Sequence, residues 1–297
     1  MAVYHRPTTL GEALDRLAEA SAAGAPLTVL AGGTDVYPHR ANAAGWGRPW
    51  PDRLLDISGI ADLRGFRVTP DAVEIGALAT WSEVIAADLP PWFEALRQAG
   101  REVGGRQIQN AATLAGNLCN ASPAADGVPP LLALDAELVV ASAAGESRMA
   151  LADFLRGNRS TALGPDRLVT AIRVPRLPDA ARSAFLKLGA RHYLVISIAM
   201  VAVTLVPDGA GRVGKARVAV GACSAVARRL GALEAALAGR PLDPSLADAV
   251  APAHLAELEP IDDVRASAAY RRAAAGTLVR RALAAAASSP DNREDAA

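Results

Sequence analysis

Residues 193–206, YLVISIAMVAVTLV, form the longest apolar run in the chain and carry no charge. The run is too short to cross a bilayer, and its β-branched content reads as a buried strand. A buried strand needs neighbours, and two more extended runs, 183–189 and 212–220, lie on either side. PDGAG turns the chain between the second and third. Pro165, Pro175 and Pro178 break the pattern just upstream, which places a domain boundary near residue 175. From Ala225 onward the pattern is helical, with Gly239 and Pro241 ending one helix and alanine-rich helices reaching about residue 286. The polar end of the chain, 288–297, is expected to be disordered.

The N-terminal part mixes helices and strands without regular βαβ alternation, which argues for an α+β fold. Thr9 and Glu12 have capping-box spacing before Leu10, Leu14 and Leu17, and Gly24 closes that helix. PLTVL then predicts a strand. A second block opens near Arg53, with LLDI as a strand and FRVTPDAVEIGA as a hairpin turning at Pro70-Asp71. Thr80 and Glu83 cap a helix that leads into another over 91–103. The segment QIQNAATLAGNLCNASPAADGVPP carries a single charge, Asp126, and reads as extended segments and turns. AELVVAS and SRMAL predict a further hairpin. The resulting division is a first domain over 1–175, in lobes of 1–52 and 53–175, and a second over 176–287.

Composition removes several functions. The formal net charge of zero leaves no basic field for nucleic acid and no polybasic face for a membrane. Two cysteines, Cys119 and Cys223, are too few for a disulfide framework, a zinc cage or a four-thiolate iron–sulfur cluster, and a reducing cytoplasm is expected. His5, His39, His192 and His254 lack metal-ligand spacing. There is no P-loop, no G-x-G-x-x-G after a strand and no G-x-S-x-G.

Two glycine-bearing polar loops remain. In the first, Ala31-Gly32-Gly33-Thr34-Asp35, glycines bare successive backbone N–H groups that can cradle an anion, and Thr34 adds a hydroxyl. The second, TLAGN at 113–117, offers Thr113, Gly116 and Asn117. Asp126 is a lone carboxylate suited to paired ribose hydroxyls. Either loop alone reads more readily as a structural turn than as a binding site. Together, nearly charge-free and flanked by strands, they favour a pyrophosphate held between them, and hence a dinucleotide outside the Rossmann scheme.

LAGGTD and, about eighty residues later, QIQNAATLAGNLCNASPAADGVPPLLALDAELVV resemble the two FAD-binding motifs of the flavin subunit of molybdenum hydroxylases, the xanthine dehydrogenase and carbon monoxide dehydrogenase family. YHRPTTLGEAL, FLKLGARHYLVISIAMVAV and IDDVRASAAYRRAAAGTLVRRAL resemble further family segments in the same order. The resemblance implies a two-lobed FAD domain of the vanillyl-alcohol-oxidase type, followed by a small domain with a three-stranded antiparallel sheet and a helical bundle. It implies that Val29, Leu30, Ala31, Gly32, Gly33, Thr34, Asp35 and Val36 wrap the pyrophosphate, with Thr113, Leu114, Ala115, Gly116 and Asn117 facing them. Asp126 would bind the adenosine ribose or a nearby polar part of FAD, and Leu168 and Lys187 match positions that touch it. One departure stands out: Ala115 replaces the first of two adjacent glycines, and its methyl group would crowd the phosphate if that position needed positive φ.

The resemblance implies no catalytic residue on this chain. The chain would pass electrons from [2Fe-2S] clusters on a small subunit, fed by a molybdopterin-binding large subunit, to an external acceptor, within a cytoplasmic doubled heterotrimer. The alternatives are a stand-alone flavin reductase of the same fold and a flavin-free scaffold.

Overall fold

The structure, a computed structural model, describes residues 3–45 and 52–288. Residues 289–297, most of the expected disordered tail, lie outside the described residues, as do 46–51 beside the expected lobe boundary.

Three sheets set the architecture. The first is parallel, in the order β1 (Val3–His5), β3 (Arg53–Asp56), β2 (Thr28–Leu30). Helix α1 (Leu10–Ala22) buries Ala13, Leu17 and Ala20 in the core beneath it. Half of the expected capping box forms: Thr9 Oγ1 accepts from Glu12 N at 3.3 Å, while Glu12 Oε2 accepts from Thr8 N at 3.0 Å in place of Thr9 N. Helix α2 (Val36–Gly45) follows the first glycine loop. The strand expected to open the second lobe is the middle strand of this first sheet, so the first layer continues past residue 52. Pairing on both edges holds Arg53–Asp56 there, and only the neighbouring strands could reveal that.

The second sheet is antiparallel. It contains the hairpin β4 (Phe66–Val68) and β5 (Ala72–Gly76), then, after the helices, β6 (Glu137–Ser142) and β7 (Gly145–Ala150). A short helix α8 (Leu151–Phe154) and the ribbon β8 (Leu155–Gly157) with β9 (Ser160–Thr161) lead to β10 (Leu168–Pro175). Strand β10 inserts centrally, giving β4-β5-β10-β6-β7. Between the hairpins run α3 (Trp81–Ala86), with a complete Thr80–Glu83 capping box, and α4 (Glu94–Glu102). Next come α5 (Arg106–Ala111), α6 (Leu114–Asn120) and α7 (Val128–Ala133). These last three correct the expectation of extended segments and turns over 107–130. Asn, Thr and Gly are weak helix formers, but Trp81 N donates to Ala112 O and Leu114 N to Ala79 O, which pins the segment. Leu114 and Leu118 then anchor α6 in the main core at zero exposure. Tertiary packing overrides propensity here.

The third sheet is β11 (Arg182–Leu188), β12 (Ala199–Pro207), β13 (Val213–Gly221) and the two-residue β14 (Arg228–Arg229), antiparallel in chain order. Helices α9 (Gly231–Leu237) and α10 (Ala268–Ala287) complete the domain. Strand β12 is the buried strand the sequence demanded, although it begins at Ala199 and residues 193–198 form a loop. Met200 and Ala202 join the main core with Trp92, Phe93 and Leu131, while Val201, Val203 and Leu205 join a second core with Leu233, Val279 and Leu283. Each fully buried large side chain contributes roughly 1.5–3 kcal/mol. The third sheet therefore belongs to both domains' cores. Among the described residues, no helix is long and apolar enough to cross a membrane.

Candidate cofactor-binding site

Strand β2 ends at Leu30 and delivers the chain into Gly32 and Gly33. Gly33 has φ +72°, the left-handed region that glycine occupies without steric cost. Gly32 is needed for a different reason: a β-carbon there would stand 1.8 Å from Ala111 O, at the end of α5. The first loop thus touches the backbone that leads into the second. The N–H groups of Gly32, Gly33 and Thr34 have no acceptor among the described residues, and Gly33 is buried. Unpaired buried donors require a partner, and here they form one end of a cavity.

The second loop is the start of a helix. Thr113 precedes α6, and its Oγ1 accepts from Gly116 N at 3.0 Å, which leaves the hydroxyl hydrogen free to donate into the cavity. Asn117 lines the cavity too, although its Oδ1 is engaged by Gly127 N at 3.1 Å. Ala115 lies within α6, outside the positive-φ residues, and is 3% exposed. Its methyl group fits a helical position at no strain, so the argument it lent to a flavin-free chain falls away. Thr113→Val removes both the cap and the free donor. It should cost about 0.5–2 kcal/mol of stability and weaken FAD binding by about tenfold, read by melting and by flavin titration, with Thr113→Ser retaining both.

The cavity has a volume of about 640 Å³, within the roughly 300–1,000 Å³ of small-molecule sites. Val29, Ala31, Gly32, Gly33, Thr34, Asp35, Val36, Thr113, Ala115, Gly116, Asn117 and Leu168 all line it. One end therefore carries free N–H groups and a hydroxyl. Elsewhere the wall is apolar, from Ile57, Val103, Ile108, Leu163, Val195 and Ile196, none of which was expected as a site residue. Asn120 was missed as well, although it lies three residues beyond Asn117 on the same helix. Cys119 opens onto the cavity, and the surrounding protein pushes its thiol up to about 12. Tyr193 is 64% exposed.

Four expected site residues lie elsewhere. Leu30 and Leu114 are buried in the cores behind the loops. Asp126 and Lys187 face each other, with Lys187 Nζ donating to Asp126 Oδ2 at 2.9 Å and to Glu102 O at 3.2 Å. Ser197 Oγ donates to Asp126 Oδ1 at 2.8 Å. Both carboxylate oxygens are thus taken by protein, and neither residue lines the cavity. Burial pushes the Asp126 carboxyl up from its ordinary value, and the Lys187 ammonium opposes that. In this geometry the pair fastens the first domain to β11 and to the loop before β12.

An N–H-lined end and an apolar remainder suit a molecule with an anionic middle and a flat ring. Fold and cavity together fit a protein that holds a dinucleotide. The family described as the FAD binding domain in molybdopterin dehydrogenase matches residues 1–177, and the CO dehydrogenase flavoprotein C-terminal domain matches residues 184–286. The chain is 32% identical over 285 residues to the carbon monoxide dehydrogenase medium chain of Afipia carboxidovorans, covering 94% of each. It is 35% identical over 216 residues to the nicotinate dehydrogenase FAD-subunit of Eubacterium barkeri, covering 70% of each. A chain of the reconstituted CO dehydrogenase from Oligotropha carboxidovorans superimposes with a TM-score of 0.87 at 28% identity, over 97% of this chain and 98% of that one. This chain belongs to the FAD-binding subunit family of molybdenum hydroxylase-type dehydrogenases, and its cofactor is FAD.

Proposed function

We propose that this chain is the electron-exchange subunit of a cytoplasmic heteromeric molybdenum hydroxylase. Electrons would arrive from [2Fe-2S] clusters on a small subunit, themselves reduced by a molybdopterin centre on a large subunit, and leave to an external acceptor. When bound, FAD supplies the redox chemistry, accepting electrons singly and releasing them in pairs. The observation that carries this reading is the single cavity shared by both glycine-bearing loops, with unpaired N–H groups at one end and apolar walls elsewhere.

The chain's own residues bind and orient. Gly32, Gly33 and Thr34 would donate their N–H groups to the pyrophosphate, Thr113 would add its hydroxyl, and the apolar wall would exclude water from the ring. Beside the cavity, Leu194 and Ile196 on its wall and neighbouring Tyr193 are 58%, 52% and 64% exposed. Clustered exposed apolar side chains mark partner or ligand surfaces, and we read this cluster, which continues past the cavity to Tyr193, as one that a partner subunit covers. That favours a subunit over a stand-alone reductase, and we extend the reading to a doubled heterotrimer.

Isolation of the chain from its host, with flavin and metal analysis, tests this. About one FAD per chain, together with co-purifying molybdenum and iron, is the expected result. A chain that runs alone and reduces an acceptor unaided would overturn the subunit reading.

A further inference from the structure

The cavity wall contains one ionised side chain, and it has the wrong sign. Among its described lining residues no lysine or arginine occurs, while Asp35 directly follows the N–H groups of the first loop. A carboxylate beside a pyrophosphate repels it, by an amount that grows as water leaves the site. A site built to hold that anion has to offset this charge.

The structure shows how. Asn120 Nδ2 donates to Asp35 Oδ1 at 2.8 Å, across 85 positions of sequence. Arg159 NH1 in turn donates to Asn120 Oδ1. The guanidinium sits in the turn between β8 and β9, where Arg159 N donates to Ala121 O at 2.8 Å. Both residues of that last contact hold left-handed backbone, φ +45° at Ala121 and +53° at Arg159. Such conformations cost free energy in side-chain-bearing residues and persist where the surroundings hold them. The result is a relay from an exposed arginine, through an amide, to the carboxylate on the cavity wall.

We propose that Arg159 is a positioning residue for FAD. Acting through Asn120, it fixes the Asp35 carboxylate and offsets its charge, so that the first loop can accept a pyrophosphate and stays tied to helix α6. The inference rests on FAD occupying this cavity. Asn120 contributes twice, since its amide spans the two loops and transmits the cation's orientation. Arg159 stands outside both motifs, and Asn120 lies in the second one beyond its glycine-bearing stretch.

Titration of deflavo full-length protein with FAD, followed by flavin fluorescence, tests the relay. Arg159→Gln keeps the β-carbon, and with it the backbone strain, while removing the charge. Its FAD dissociation constant should rise about tenfold at low salt, and the deficit should shrink as ionic strength screens the repulsion. Asp35→Asn alone should bind FAD at least as tightly as the wild type. In the Asp35→Asn background, Arg159→Gln should change affinity less than about twofold, because no carboxylate is left to offset. A merely structural arginine would cost the same in both backgrounds, and that result overturns the proposal. So does wild-type affinity in Arg159→Gln, or weakened binding in Asp35→Asn alone. If the wild type itself takes up no FAD, the cofactor reading fails first and independently.

Discussion

Gly32→Ala protein should purify without flavin. The new β-carbon would stand 1.8 Å from Ala111 O, 2.6 Å from Ala111 C and 3.2 Å from Ala112 Cα. All three are backbone atoms, and they lead directly into Thr113, so no side-chain rotation relieves the clash. The first loop must back away from the second, and the cavity between them loses its shape. Overpacking of this kind costs about 1–3 kcal/mol of stability. The larger effect falls on the cofactor, because losing one or two hydrogen bonds to a charged phosphate costs about a hundredfold in affinity. The flavin-to-protein absorbance ratio and an FAD titration measure this. Gly11→Ala is the control: nothing lies within 4 Å of its added β-carbon, and flavin content should not change. Full FAD occupancy in Gly32→Ala would show that the two loops do not share the ligand.

Lys187→Met should be the most destabilising single change at the domain junction. It leaves the buried Asp126 carboxylate with Ser197 as its one side-chain partner. Breaking a buried pair from one side costs about 3–5 kcal/mol, a fall in melting temperature on the order of 10 °C for a chain of this size. The pH dependence identifies the cause. Burial already raises the Asp126 carboxyl in the folded protein, and the ammonium opposes that rise. Without the ammonium the folded-state value climbs further above the unfolded one. In the window between those two values the folded state binds more protons than the unfolded state, so stability falls as pH rises. The penalty of Lys187→Met should therefore be largest above the folded-state value and shrink as pH falls toward the ordinary carboxylate range. Asp126→Asn in the same chain should recover most of the loss. A penalty independent of pH would mean that lost packing, and not an uncompensated charge, is responsible.

The legible parts of this chain were the local ones. Thr9 with Glu12, Thr80 with Glu83, and the Pro70-Asp71 hairpin each specify structure through neighbours a few residues away. The first glycine loop was legible for the same reason: bare backbone after a strand is a property of sequence order. Helices α5, α6 and α7 were not. Their residues favour helix weakly, and the bonds that pin them come from Ala79 and Trp81. The roles of Asp126 and Lys187 were equally hidden. Their pairing spans 61 positions, and nothing near either residue announces the other.

The sequence by itself determined that the chain is α+β, that β12 is buried, and that a glycine-bearing loop follows β2. Those facts follow from hydrophobic content, capping spacing and the absence of side chains, all read along the chain. Only the tertiary structure decided that the third sheet buries one face against each core, that Asp126 and Lys187 satisfy each other, and that Arg159 reaches Asp35 through Asn120. Each of these requires two distant segments to be brought within hydrogen-bond or van der Waals range. Such proximity is set by how layers pack and has no signature in local residue order.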